Sequence, residues 1–321
     1  MTQHPEFVVI GAGAWGVALA ALYAAQGLRV TLIARDAVKA AALAATRTSP
    51  HLPSLRLPDG LAIAARPPEA PVTLLAVPFQ HLRETIGRLP QGDGTLVLCA
   101  KGVERETGAL GPEIAAELEP RRPCAILTGP NFAHEIAAGL PAATVLAMTD
   151  AVARRDLVKR LATPRLRVYG SADPIGAALG GAAKNVIAIA AGAVIGAGLG
   201  ENARAALITR GLAEIARLTE AIGGAAETIS GLAGLGDLIL TATGGASRNY
   251  RAGLALGRGE RPAAEGGVIE GLATAPALLA RARAAGCEMP VTEAVTDLIG
   301  GRSTLEASMH RLLGRALRDE R

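Results

Sequence analysis

The sequence predicts an α/β domain built on a doubly wound parallel sheet, followed by an all-helical domain. Three observations carry that prediction. Short apolar runs alternate with helical patterns from Phe7 to Tyr169. A glycine turn, Gly11-Ala-Gly13-Ala-Trp15-Gly16, joins the first apolar run to the first helical pattern. After Asp173 no strand pattern returns. The break falls near Gly170 to Asp173, which sets domains of residues 1–171 and 172–321. At 321 residues, each domain is long enough to own a core.

Phe7–Ile10 reads as the first strand. The helical pattern behind the glycine turn runs to Gln26 and stops at Gly27, and Arg29–Ala34 reads as the second strand. Strand, glycine turn, helix and strand in that order form a dinucleotide-binding fingerprint. Gly11, Gly13 and Gly16 permit a tight turn and a close approach of backbone to pyrophosphate, while the helix N-terminus supplies N–H donors. The residue after the second strand decides the ribose end. An acid would accept from a 2′-hydroxyl, and an arginine would pair with a 2′-phosphate. The chain offers Arg35 and then Asp36, so a slip of one residue reverses the choice. A strand ending at Ala34, with Asp36 capping the next helix, favours NADP and leaves NAD possible.

Further strands read at Leu61–Ala64, Val72–Val77, Thr95–Ala100, Ala125–Thr128, Thr144–Met148 and Leu166–Tyr169. Three of them end in punctuated polar motifs: Val77-Pro-Phe-Gln80, Lys101-Gly-Val-Glu104 and Thr128-Gly-Pro-Asn131-Phe-Ala. Ligands of such sheets bind beyond the carboxyl ends of the strands. Any one of these motifs alone also reads as ordinary turn chemistry. Their shared position raises Lys101 and Asn131 as site candidates.

The helical half opens with Ala177–Leu199, whose only ionisable side chain is Lys184, with Asn185 beside it. Positions 177, 180, 181, 184, 188 and 191 share one face, and apart from the lysine that face is all Ala and Gly. Another body can therefore approach the backbone there. Val186, Ile187, Ile189, Val194 and Ile195 supply the core-facing sides. Such a lysine either extends its ammonium to water or needs a partner or a function. Glu201–Ile222 is the next helical pattern, with Ala205, Ile208, Leu212, Ile215, Leu218 and Ile222 on one face. Glycines then crowd around one acid in Gly231-Leu-Ala-Gly-Leu-Gly-Asp237 and precede Ser247-Arg248-Asn249. This is either a ligand loop or a capped interhelical connection. From Glu265 onward the pattern is helices broken at Gly286, Pro290 and Gly300-Gly301, ending in an arginine-rich solvated tail.

Composition narrows the function. Hydrophobic residues make up 50% and aromatics 2%, so Ala, Leu, Val and Ile build the core. Mean hydropathy is +0.31, yet the longest uncharged apolar run, Val186–Gly200, is 15 residues, short of the roughly 20 a bilayer needs. No secretory leader pattern opens the chain, so a cytoplasmic location is the expectation. Cys99, Cys124 and Cys287 lack metal spacing and cannot all pair, which predicts reduced, buried thiols. The five histidines are scattered and no metal site is expected. A net charge of +4 with dispersed arginines and few aromatics does not describe a nucleic-acid surface, and it suits an anionic small molecule.

Several long motifs then occur in a specific order: GAGAWGVALA, VPFQHLR, KGVERETG, TGPNFAHEIAAGLPA, AAKNVIAIAAG with ENARAALITRGLAEIARL, GLAGLGDLILTATGGASRNYRAGLALGRG, and EGGVIEGLATA. Over nearly its whole length the chain resembles the bacterial NAD(P)-dependent glycerol-3-phosphate dehydrogenases. That resemblance implies a Rossmann domain followed by a helical domain similar to that of 6-phosphogluconate dehydrogenase, with the active site in the cleft between them. It implies interconversion of dihydroxyacetone phosphate and sn-glycerol 3-phosphate, supply of phospholipid synthesis, and a homodimer.

The resemblance also implies roles. Lys184 corresponds to the catalytic lysine, and Lys101 to a lysine touching cofactor and substrate. Asp237 corresponds to an acid near the reacting carbon and Lys184. Ser247, Arg248 and Asn249 match the substrate-binding triplet, with Arg248 also reaching the cofactor. Gly129 and Asn131 match substrate positions. Gly11, Gly13, Ala14, Trp15, Gly16, Arg35, His51, Ala133, Val268 and Glu270 match cofactor positions. Three departures stand out: Asn131 where the family usually has serine, AAKN for ALKN, and His51 for a tyrosine. Two rival classes compete with that reading. Another dehydrogenase of this architecture would not need the Ser-Arg-Asn triplet with paired lysines, and a non-catalytic dinucleotide sensor would not need Lys184 with Asp237.

Overall fold

The computed structural model describes residues 4–263 and 267–313. Glu265 and Gly266, which open the last motif, and the arginine-rich end of the chain lie outside the described residues. The contacts divide the chain into two compact units: Met1–Lys101 with Ala109–Ala178, and Gly102–Gly108 with Leu179–Arg321.

The first unit is a sheet unit. Its strands are β1 (Phe7–Ile10), β2 (Val30–Ile33), β3 (Thr48–Ser49), β4 (Leu52–Arg56), β5 (Ala62–Ala64), β6 (Val72–Leu75), β7 (Thr95–Leu98), β8 (Cys124–Thr128), β9 (Ala142–Ala147) and β10 (Leu166–Ser171). Eight of them form one sheet in the order β10-β9-β8-β7-β6-β1-β2-β5. β9 meets β8 antiparallel, so β9 and β10 run against the rest. The predicted parallel sheet is therefore mixed at one edge. The central strands are near-continuous apolar runs (FVVI in β1, VTLL in β6), as strands covered on both faces must be. β3 and β4 form a small separate hairpin that no alternation in the sequence announced.

The second unit is helical and centres on the helix Pro174–Gly196 from Leu179 onward; the helix lies three residues ahead of the predicted span at each end. By length and composition this helix could cross a membrane, but 89% of its most apolar window is buried inside the protein. Val186, Ile187 and Ile189 are fully buried, each worth roughly 1.5–3 kcal/mol relative to exposure. The helix Arg248–Gly257 crosses it at van der Waals backbone contact. A Cβ on Gly253 would collide with the carbonyl oxygen of Ile189, and one on Gly192 with that of Tyr250. Gly192 and Ile189 lie off the predicted small-residue face; on that face Gly180 packs closely against the Ala233 carbonyl.

Helix Gly200–Ala221 follows. Its buried face comprises Gly211, Glu214, Ile215, Leu218 and Thr219, whereas Ala205, on the predicted apolar face, is exposed. Glu214 is 1% exposed. Its carboxylate accepts from the backbone N–H groups of Val291 at 2.6 Å and Thr292 at 3.3 Å, and from the Thr292 hydroxyl at 3.4 Å. It caps the helix Pro290–Ile299. All three cysteines are free thiols; Cys99 is buried, the other two half-buried. Burial pushes the Cys99 and Cys124 thiols up to about 12, so neither is a reactive thiolate.

Candidate active site

In the sheet unit, β1 runs into Gly11 at φ +109°, where a Cβ would sit 2.6 Å from the Ala76 carbonyl oxygen. Only glycine fits there. Helix Ala14–Ala25 then starts at Gly13 without a side-chain cap, and a Cβ at Gly13 would meet nothing within 4 Å. The first-turn N–H groups, with Ala14 and Trp15 among their residues, thus adjoin open space. This is the cradle that a dinucleotide pyrophosphate needs, so the residues present fit the cofactor.

β2 ends at Ile33, and Asp36 Oδ1 accepts from Lys39 N at 2.8 Å. Asp36 is therefore a helix cap, as the sequence predicted, and Arg35 stands beside it with its side chain 82% exposed and 3.8 Å from the Asp36 carboxylate. His51 lies exposed at the tip of the β3–β4 hairpin.

Lys101 follows β7, and its Nζ donates to the Gly129 carbonyl oxygen at 3.2 Å across the ends of neighbouring strands. Gly129 itself takes φ +148°. Asn131 Nδ2 donates to Ala143 O at 3.2 Å, and its Oδ1 is buried without a hydrogen-bond partner. A buried acceptor left open in this way awaits a donor from a ligand or water. Ala133 begins the next short helix. The sheet unit therefore collects Gly11, Lys101, Gly129 and Asn131 at the carboxyl ends of adjacent strands β1, β7 and β8, with β6 between β1 and β7.

In the helical unit, Lys184 lies mid-helix with 8% exposure. It does not reach out to water. Its Nζ is paired with Asp237 Oδ1 and donates to Thr241 Oγ1 at 2.8 Å. Thr241 spends its own proton on the Asp237 backbone carbonyl at 2.6 Å, so its hydroxyl can only accept from the lysine. Asp237 is 1% exposed and opens the helix Asp237–Ala242 directly after a wide π-helical turn, Leu232–Gly236. That turn lies against the core helix, where a Cβ on Gly180 would come within 2.8 Å of Ala233 O. Asp237 and Thr241 are i and i+4, so both face the lysine together.

One residue on from Lys184, Asn185 Oδ1 accepts from Asn249 Nδ2 at 2.8 Å, and Asn249 Oδ1 accepts from Gly271 N at 2.9 Å. Asn249 thereby ties the Ser-Arg-Asn triplet to the core helix and to the start of helix Glu270–Ala284. Ser247 Oγ accepts from Tyr250 N at 3.2 Å and caps the helix that Arg248 begins. The Arg248 guanidinium lies against Gly267, one residue before Val268 and three before Glu270. Thr241 and Asn185 are the members that sequence reading did not assign. The signal for Thr241 was available, since it stands one helical turn after Asp237.

Residues 6–153 match the model of the NAD-dependent glycerol-3-phosphate dehydrogenase N-terminus, and residues 173–310 that of its C-terminus. A glycerol-3-phosphate dehydrogenase [NAD(P)+] of Acidiphilium cryptum is 87% identical over 321 residues, covering all of both chains. The chain belongs to the glycerol-3-phosphate dehydrogenase family. A Gluconobacter oxydans member is 50% identical over 98% of each chain. Among solved structures, the Coxiella burnetii glycerol-3-phosphate dehydrogenase superposes with a TM-score of 0.91 at 36% identity, over 97% of this chain and 99% of that one. The family membership matches the predicted fold class of a dinucleotide-binding sheet domain and a helical domain.

Proposed function

We propose that the protein interconverts dihydroxyacetone phosphate and sn-glycerol 3-phosphate with NAD(P)H, and that Lys184 exchanges the proton with the substrate oxygen. The observation that carries this reading is the buried Lys184–Asp237–Thr241 constellation. When bound on the Gly11–Gly16 turn, the nicotinamide cofactor supplies or accepts the hydride.

Reduction of the ketone builds negative charge on its oxygen, which a cation within hydrogen-bond reach must meet and protonate. Lys184 is held for that task. Asp237 supplies its counter-charge, and Thr241 fixes one of its three N–H directions by accepting only. Arg248 offers a planar, permanently charged clamp for the substrate phosphate. Binding energy from the phosphate then holds the carbonyl for reaction. Asn249 and Asn185 keep that clamp in register with the lysine. The family resemblance supports Lys101, held on Gly129, and Asn131, with its open acceptor, as further substrate contacts.

Asp36 is occupied as a cap, and the exposed Arg35 is the group able to meet a 2′-phosphate, which supports NADP as the preferred cofactor with NAD also used. The family resemblance supports a homodimer, a cytoplasmic location and supply of glycerophospholipid synthesis from the product. The test is NADPH oxidation with dihydroxyacetone phosphate as the only acceptor. Stoichiometric formation of sn-glycerol 3-phosphate is expected, and no ketone-dependent oxidation would overturn the reading.

A further inference from the structure

Arg122 is 8% exposed and stands just ahead of β8, at the end of the sheet opposite the glycine turn. Its acceptors are neutral. Nε donates to Gly94 O at 2.9 Å, and Nη1 lies 3.5 Å from Pro90 O. Among the described residues no carboxylate pairs with it, and Nη2 makes no hydrogen bond. A guanidinium is permanently charged and carries five N–H donors, so burying it without a counter-charge is costly. The side chain lines a cavity of about 300 Å³, at the small end of ligand pockets. The segments around that cavity lead into the amino ends of β6, β7 and β8, and all of them belong to the sheet unit. β6 and β7 are four residues long, which puts about 13 Å of strand between this end and the carboxyl ends that hold the dinucleotide cradle.

We propose that this cavity binds a small monocarboxylate with an apolar body, anchored by Arg122. Nη2 and the second hydrogen of Nη1 form a fork that matches the two oxygens of a carboxylate. Pro67, Pro68, Pro71, Leu89 and Pro90 supply the apolar wall. That wall is preformed. Thr95 N donates to Pro71 O at 2.9 Å and Leu96 N to Pro123 O at 2.8 Å, while a Cβ on Gly94 would fall 2.1 Å from Ala70 O. A rigid wall keeps the ordering cost of binding low. The exposed acids Glu69 and Asp93 line the same cavity and repel a second negative charge on the ligand. A singly charged carboxylate therefore suits it better than inorganic phosphate.

The probe is 4-fluorobenzoate, titrated into the full-length protein and followed by fluorine NMR. Wild type should bind it with a dissociation constant on the order of 1 mM. Arg122→Gln should weaken binding about tenfold or more, the loss expected for a charge-assisted hydrogen bond. Gly92→Phe leaves the arginine intact. A Cβ on Gly92 meets nothing within 4 Å, so that variant should fold, and its ring should occupy the cavity and weaken the probe about tenfold. Arg248→Ala, in the helical unit, should bind the probe as wild type does. Acetate, which lacks the apolar body, should bind about tenfold more weakly than the probe, and inorganic phosphate should not displace it. Weakening in either cavity variant, with a wild-type melting temperature and an unaffected Arg248→Ala, supports the site. No binding to wild type, equal binding to wild type and both cavity variants, or loss confined to Arg248→Ala would overturn it. Displacement by phosphate, or acetate binding as tightly as the probe, would overturn the assigned ligand class. Should Arg122→Gln not fold, Gly92→Phe decides alone.

Discussion

Asp237 and Glu214 are both carboxylates of the helical unit, and each is only 1% exposed. Their donors differ. Asp237 is met by an ammonium, Lys184, whose protons exchange. Glu214 is met by two peptide N–H groups and a hydroxyl at the start of the helix Pro290–Ile299. Peptide protons do not transfer at neutral pH, so these contacts fasten a helix. Burial alone therefore does not mark an active-site acid. What marks it is a partner that can give up a proton together with a third group that orients that partner.

The sharpest way to break this contrast is Lys184→Met, which keeps the apolar stem and removes the charge and donors. With saturating dihydroxyacetone phosphate, kcat should fall about 10²–10⁴-fold, the usual range for a positioned acid. NADPH affinity, read by fluorescence, should hardly change, since the phosphates rest on the Gly11–Gly16 turn. A variant with wild-type kcat would end the catalytic reading of Lys184.

Asp237→Asn comes next. It leaves the ammonium in place without its counter-charge, so kcat should drop about 10–100-fold and the melting temperature should fall as well, because an unpaired buried charge costs several kcal/mol. Wild-type kcat in a less stable Asp237→Asn variant would mean that Asp237 only packs. Thr241→Val removes the accepting hydroxyl at nearly constant shape. It should cost about 5-fold in kcat, the equivalent of one hydrogen bond of about 1 kcal/mol. No change in kcat would show that the ion pair positions Lys184 unaided.

These residues also show how far the sequence could be read. Lys184 stood out because a lone charge in an Ala/Gly stripe is anomalous within the helix itself, and Asp237 stood out as the lone acid of a glycine-rich run. The main-sheet strands and the core helix announced themselves through local periodicity. Glu214 did not, because an acid on an amphipathic helix looks solvated until Val291 and Thr292, 77 and 78 residues away, are seen to cap it. The reversal of β9 is likewise set by pairing with β8, which no local pattern encodes. The β3–β4 hairpin is short, contains Pro53, and carries no clear alternation. The membership of residues 102–108 in the helical unit depends on contacts such as Arg281 to Gly108, 173 residues apart in the chain.

Glu214→Gln tests the other side of the comparison, and its effect should fall on stability alone. Burial raises the Glu214 carboxyl from its ordinary 4.5 to about 7, against the opposing pull of the Val291 and Thr292 N–H groups and of Arg217. A raised acid binds its proton more tightly in the folded chain than in the unfolded one. The stability contributed by that proton is therefore complete below about 4.5 and is lost as pH rises through about 7. The shift corresponds to a swing on the order of 3 kcal/mol, or several degrees in melting temperature for a chain of this size. Glutamine cannot titrate. Melting curves taken from pH 4.5 to 8 should show the wild-type protein losing ground to Glu214→Gln as pH rises. Taking the difference between the two profiles cancels the other groups, including Asp150, whose carboxyl is held low by the N–H groups of Ala153 and Val152 and loses its contribution in acid. The kcat of Glu214→Gln should match wild type at every pH in that range. Parallel melting profiles would show that Glu214 keeps an ordinary acidity. A collapse of kcat with a well-folded variant would instead mean that the helix it fastens, Pro290–Ile299, acts on the site, and the distinction between the two buried acids would no longer hold.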